Sequence, residues 1–317
     1  MANSDQIKAL IKSHVNNEDE RFVTIALQIA AHEAKLGRSI FADEIKKLID
    51  SRKITPPRLK LFDQSVEGLV EEIPVHSRLT ELVISDSLKE RMERVILEYK
   101  QRGKLSKHNL RNRRKLLLAG PPGTGKSMTA SIFAKELHLP FYLVNMDRLV
   151  SKYMGETSSK LRQVFEFINN NHGIYLFDEF DTIGAERLRD NDVGEMRRVL
   201  NSFLQFIERD ESAAIIIAAT NNPSMLDQAL FRRFDDVFHY NLPAKSEVIQ
   251  LIENRLGSFK GRFNVASIAD NVKSLSHAEI VQACNDSIKE AILFDKNKVD
   301  KSLLLKMLKN RVSAYQK

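Results

Sequence analysis

GPPGTGKS, residues 120–127, decides the fold. A short apolar run, Leu116 to Ala119, leads straight into it, and a helical pattern through Met128, Ile132, Phe133 and Leu137 leads out. Strand, glycine-rich loop and helix in that order are the setting that the G-x-x-x-x-G-K-[ST] spacing requires. Its glycines let the chain wrap a polyphosphate with backbone N–H groups turned inward, and the helix start adds the positive end of its dipole. Gly120, Pro121, Pro122, Gly123, Thr124, Gly125, Lys126, Ser127 and Met128 are therefore expected to bind ATP. Lys126 would reach the β and γ phosphates, and the Ser127 hydroxyl would ligate Mg²⁺.

Outward from this loop, further apolar runs lie at Phe141 to Val144, Ile174 to Phe177, Ala213 to Ala219 and Val237 to Tyr240, separated by longer amphipathic stretches. Runs of four to seven apolar residues alternating with helices predict an α/β fold, a parallel sheet with helices on both faces. IYLFDE, residues 174–179, places Asp178 at the carboxyl end of a buried strand, where open α/β sheets bind their ligands. Adjacent buried carboxylates are costly without a cation, so Asp178 reads as a second Mg²⁺ ligand and Glu179 as the group that orients or deprotonates the attacking water.

The flanks are helical. Ile7, Leu10 and Ile11, then Phe22, Ile25, Ala26 and Ile29, then Ile45, Leu48 and Ile49 mark a small N-terminal domain over 1–52. Residues 53–83, with Pro56, Pro57 and Pro74, carry no sustained period and read as a linker. The large α/β domain is expected over 84–243, opening with a helix from Asp86 to Gln101. A small all-helical lid is expected over 244–317, with helices near 245–256, 276–294 and 300–313.

The 317 residues carry a formal charge of +7, and residues 86–115 alone hold eleven Lys or Arg against four acids. Such a segment suits either a solvated helix face or a nucleic-acid contact, but no aromatic stacking pattern accompanies it. The lone Cys284 excludes an intrachain disulfide and reads as a small core residue. MANSDQIKAL has no basic region followed by an apolar one, and no stretch is long and apolar enough to span a bilayer, so the reading is a cytoplasmic protein with no membrane partner.

With these motifs in order, the chain resembles the AAA+ ATPases, and within them the AAA clade in the narrow sense, with katanin, spastin and the membrane-bound AAA proteases. AATNNPSMLDQALFRRF, residues 218–234, looks like that clade's second region of homology. The resemblance implies that Asn221 positions the lytic water and that Arg232 and Arg233 are arginine fingers reaching a neighbouring subunit. It thus implies a ring of identical chains, usually a hexamer. SKYMGETSSKLRQVF, residues 151–165, is similar to the clade's first pore loop and the helix after it. By that likeness Lys152, Tyr153, Met154 and Gly155 contact a protein substrate, and GAERLRDNDVG, residues 184–194, stands where a second pore loop would be, its charged composition suiting that role or a solvent loop equally. An exposed aromatic suits this work because it grips varied chain segments at low entropic cost.

Two positions depart from the clade's pattern: Ser276-His277-Ala278-Glu279 stands where Ser-Gly-Ala-Asp is usual, and Phe206 to Asp210 where an intersubunit signal would lie. A narrower resemblance, resting on overall arrangement and the LSHAEI segment, is to bacterial AAA ATPases encoded beside a subtilisin-like serine protease in antiphage defence modules. The expectation is a Mg²⁺-dependent, ring-forming ATPase that threads or remodels a protein, with a separate protease as partner. A nucleic-acid-dependent motor or loader and an ATP-operated binding switch are the alternatives.

Overall fold

The computed structural model describes residues 4–15, 19–35, 37–38, 41–46, 66–77, 79–150, 156–181, 193–225, 228–269, 272 and 274–315. It divides into two compact units, Met1–Leu61 and Phe62–Lys317. The first contains α1 (Ser4–Val15) and α2 (Asp19–Lys35), with Ala26, Ile29, Ala30 and Ala42 buried.

The second unit is built on a six-stranded sheet among the described residues. In chain order the strands are β1 (Val70–Glu72), β2 (Lys115–Ala119), β3 (Phe141–Val144), β4 (Ile174–Phe177), β5 (Ile215–Thr220) and β6 (Asp236–His239). Across the sheet they run β1-β3-β4-β5-β2-β6. All neighbours are parallel except the edge pair, where Val70 opposes Val144 in antiparallel register.

The central strands are apolar without interruption because both faces are covered. The helices that cover them are α3 (Asp86–Lys100), α4 (Lys126–Leu137), α5 (Glu156–Asn170) and α6 (Val193–Arg209). Leu117, Tyr175, Phe177, Ile216 and Ala218 point to one side, into a cluster with α5 and α6. Leu116, Leu118, Ile174, Leu176, Ile215 and Ile217 point to the other, into a cluster with α3 and α4. A third cluster joins α7 (Lys245–Leu256), α8 (His277–Leu293) and α9 (Lys301–Tyr315) through Leu251, Ile252, Ile280, Cys284, Leu304 and Leu308. Cys284 is buried there, and burial pushes its thiol up to about 12.

The stretch read as a linker needs a correction in its second half. Residues 66–83 contribute β1, a short helical turn at Leu79–Glu81 and Val83, which is buried in the cluster of α7, α8 and α9. A three-residue strand with one buried position shows no period, and Pro74 interrupts the pattern between β1 and the helical turn.

Part of the basic segment is neutralised, mostly by acids distant in sequence. Arg91 pairs with Asp236, Arg113 with Asp236 at 2.8 Å and with Glu98 at 3.4 Å, and Arg114 with the fully buried carboxylate of Asp210. Arg102 lies 4.4 Å over the Tyr99 ring, and Lys115 donates to the Ile207 carbonyl. Among the described residues, no helix is long and apolar enough to cross a membrane.

Phe203 is the hub of the first cluster: it is fully buried, and the rings of Phe180, Phe177 and Phe165 lie 4.4, 5.2 and 5.9 Å away. Phe203→Ala is expected to destabilise the unit by about 3–5 kcal/mol, measured by urea unfolding followed by circular dichroism.

Candidate active site

Three neighbouring strands end together. β2 runs into Gly120, β4 into Asp178 and β5 into Asn221, so the phosphate loop, the acidic pair and the asparagine converge at one edge of the sheet. They line a cavity of about 460 Å³, walled by Leu82, Val83, Leu251 and Val281 and closed at one end by His277 and Ala278 of α8.

The loop is held open by its own bonds. The buried Lys126 ammonium donates to the carbonyls of Gly120 and Pro121 and to Asn221 Oδ1, each at 2.8 Å. Burial pulls its pKa down, and the nearby Asp178 and Asp181 carboxylates pull it back up. The Thr124 hydroxyl donates to the Pro121 carbonyl at 2.8 Å. Two glycines answer to close approach as well as to backbone shape. Gly120 has φ 152°, and a Cβ there would lie 2.2 Å from the Tyr240 carbonyl oxygen; Gly123 has φ 71°, and a Cβ would lie 2.6 Å from Ser276 Oγ. At Gly123 the loop meets the lid directly, its carbonyl accepting the Ala278 N–H at 2.9 Å.

Ser127 Oγ donates to Asp178 Oδ2 at 2.6 Å, so the two expected metal ligands stand side by side. A hydroxyl and a carboxylate at this separation fit Mg²⁺, which takes few protein oxygens and fills its octahedron with water and phosphate. Asp178 Oδ1 accepts the Glu179 N–H at 2.9 Å. Glu179 holds φ 51°, a left-handed conformation unusual for a side chain of its size, and is exposed toward the cavity it lines. Asp181, buried, accepts the Asn221 N–H at 3.2 Å and so ties the end of β5 to the turn after β4.

The remaining expected residues are elsewhere. Arg232 and Arg233 are exposed and absent from the cavity wall, and Arg233 pairs with Glu208 of α6. Lys152, Tyr153, Met154 and Gly155 lie outside the described residues, as does most of 184–194. Leu82, Val83, Leu251 and Val281 have no local signature that marks them as cavity residues; only the tertiary fold brings them there.

His277 is the anomaly. It lines the cavity, is 9% exposed, and neither ring nitrogen has a hydrogen-bond partner among the described residues. Burial pushes its imidazole down to about 4. The folded state thus holds the ring neutral while the unfolded chain protonates it at its ordinary value, and His277 adds stability above about pH 6.5 that is lost as pH falls toward 4. In His277→Asn the pH dependence of the unfolding midpoint across that window is expected to be shallower than in the parent chain. Parallel curves from thermal melts would contradict the assignment.

The family model for the ATPase family associated with various cellular activities (AAA) matches residues 116–242, the span from β2 to the end of β6. The chain is 33% identical over 301 residues to an uncharacterized AAA family ATPase of Sinorhizobium fredii, covering 92% of this chain and 90% of that one. It is 26% identical over 302 residues to a putative 26S proteasome regulatory subunit homolog of Methanocaldococcus jannaschii, covering 92% and 76%. With the ATP-dependent zinc metalloprotease FtsH of Mycoplasmopsis synoviae it shares 30% identity over 233 residues, 70% of this chain and 35% of that protein. The match to the Sinorhizobium protein runs through both units, well beyond the phosphate loop, and the chain belongs to the AAA family of ATPases, enzymes that bind and hydrolyse ATP.

Proposed function

We propose that this ATPase works as a ring, a hexamer by its likeness to the clade, and couples hydrolysis to threading or remodelling a protein. The observation that carries the reading is the position of the arginines. Lys126 is the one Lys or Arg among the described residues lining the cavity, although negative charge builds up on the γ-phosphate as it is transferred. Arg232 and Arg233 stand exposed outside their own cavity, Arg233 in a surface pair with Glu208 that a neighbouring copy's site would have to exchange.

Within one chain, Lys126 binds the β and γ phosphates, Glu179 orients the attacking water and accepts its proton, and Asn221 holds the water from the end of β5. Ser127 and Asp178 hold Mg²⁺, which when bound neutralises phosphate charge. Lys152, Tyr153, Met154 and Gly155 are proposed to grip the substrate chain. The relatives' names support a protein substrate, since one is a putative proteasome regulatory subunit homolog and another an ATP-dependent metalloprotease. We place the peptidase that would consume the threaded chain on a separate polypeptide. The subtilisin-like protease of an antiphage module is the partner we put forward. The nucleic-acid reading is weakened by the engagement of Arg91, Arg113 and Arg114 of the basic segment in ion pairs.

Glu179→Gln is expected to retain ATP binding and lose at least ~10²-fold in turnover. Arg233→Ala should lower turnover by ~10³-fold or more. The decisive measurement mixes two inactive variants, Arg233→Ala and Lys126→Ala. Shared sites predict that activity returns on mixing, because an Arg233→Ala chain keeps an intact phosphate loop and its Lys126→Ala neighbour supplies the finger. A mixture as inactive as its components, with a wild-type rate per chain independent of protein concentration, would sink the ring.

A further inference from the structure

α5 and α6 run side by side on one face of the sheet, with Ser158 Oγ 3.2 Å from Ser202 Oγ and the Phe165 and Phe206 rings stacked at 5.2 Å. Between them lies a second hollow of about 440 Å³, distinct from the nucleotide cavity. Ser158, Ser159, Arg162, Ser202, Gln205 and Arg209 form its polar wall, and Phe206 completes the lining. No carboxylate lines it among the described residues. Arg162 and Arg209 are exposed, and neither has an ion pair or hydrogen bond among the described residues. They contrast with the arginines of the basic segment, most of which have found an acid.

The donor inventory defines what fits. Each guanidinium carries five N–H groups and a charge that is never lost, two of the three hydroxyls can turn a proton inward while the Ser158–Ser202 bond holds, and the Gln205 amide adds two more donors. A wall of donors with two fixed positive charges selects an oxyanion. A single carboxylate brings one charge and two oxygens, which leaves one guanidinium uncompensated. A phosphate group at neutral pH brings about −1.5 to −2 and at least three acceptor oxygens, which matches both the charge and the number of donors.

We propose that the α5–α6 hollow is a second phosphate-binding site, separate from the phosphate loop, for a phosphoryl dianion held between Arg162 and Arg209. The hollow is larger than a bare ion needs, so the group is either free phosphate with its water or the head of a phosphomonoester whose body rests on Phe206. It shares no residue with the nucleotide cavity, but Phe206 and Arg209 belong to the stretch that stands where an intersubunit signal would lie, so in the proposed ring the hollow would face a neighbouring copy.

The test uses the full chain carrying Lys126→Ala, which disables the phosphate loop, titrated with inorganic phosphate or with phenyl phosphate at constant ionic strength. The expected result is a saturable rise of a few degrees in the unfolding midpoint and one calorimetric site per chain, both lost when Arg162→Gln and Arg209→Gln are added. Tighter binding of phenyl phosphate identifies an ester as the ligand, and tighter binding of the free ion identifies phosphate itself. The same titration on the wild-type chain saturated with ADP repeats the test if the Lys126 replacement unfolds the protein. No saturable response, or one that survives both arginine replacements, overturns the site. So does a pair of replacements that abolishes self-association while phosphate has no effect, since the hollow would then seat carboxylates of a second copy.

Discussion

The structure turns on how one buried ammonium is satisfied. Lys126 cannot be left unpaired inside a protein, since desolvating a charge without partners costs several kcal/mol. Its three protons go to two carbonyls of the phosphate loop and to the side chain at the end of β5, at 2.8 Å each. That arrangement demands that β2 and β5 end at the same level, which their parallel register provides by pairing Ala119 with Thr220. The loop geometry, the strand order and the position of Asn221 are thereby parts of one solution. A bound polyphosphate offers the same ammonium better acceptors, so the bonds that hold the loop open are also those that ligand binding exchanges.

The lid is tied to this arrangement by small contacts. Ser276 Oγ accepts the Glu279 N–H and the Ser276 N–H donates to the Glu279 carboxylate in return, a capping box that sets where α8 starts. The first turn of α8 is thereby placed so that Ala278 N–H meets the Gly123 carbonyl. Val83, from the segment before α3, is buried among the lid helices, so the chain entering the sheet and the chain leaving it share one apolar cluster. A nucleotide bound in the cavity, as proposed, would meet both Val83 and the start of α8, which would give ATP and its products a direct handle on the lid.

Much of this was legible in the residues, for a reason that lies in burial. A strand covered on both faces reads as an unbroken apolar run, and the runs at 116–119, 141–144 and 174–177 mark three strands to within a residue. The run at 213–219 is offset, because Thr220 is a fully buried polar residue that still pairs in the sheet, while Ala213 precedes it. The lid helices follow from their 3.6-residue spacing. What could not be read is whatever depends on distant partners. β1 has one buried residue, Arg114 meets Asp210 only in the folded chain, and the isolation of His277 is a property of its surroundings rather than of its neighbours in sequence. The phosphate loop was visible because its chemistry is local, whereas the cavity walls at Leu82, Val83, Leu251 and Val281 are not.

The strand order also governs when the framework of the cavity is completed during synthesis. β2, which delivers the chain into the phosphate loop, pairs only with β5 and β6; β3 and β4, made soon after it, lie on the far side of β5. A nascent chain that has emerged as far as Phe177 therefore carries every residue of the loop but neither of the strands that flank β2 in the sheet, nor Asn221. Such non-local closure is slow and leaves apolar strand edges waiting. The strands that hold β2 in the sheet, and Asn221 with them, are therefore among the last parts of the cavity's framework to be made.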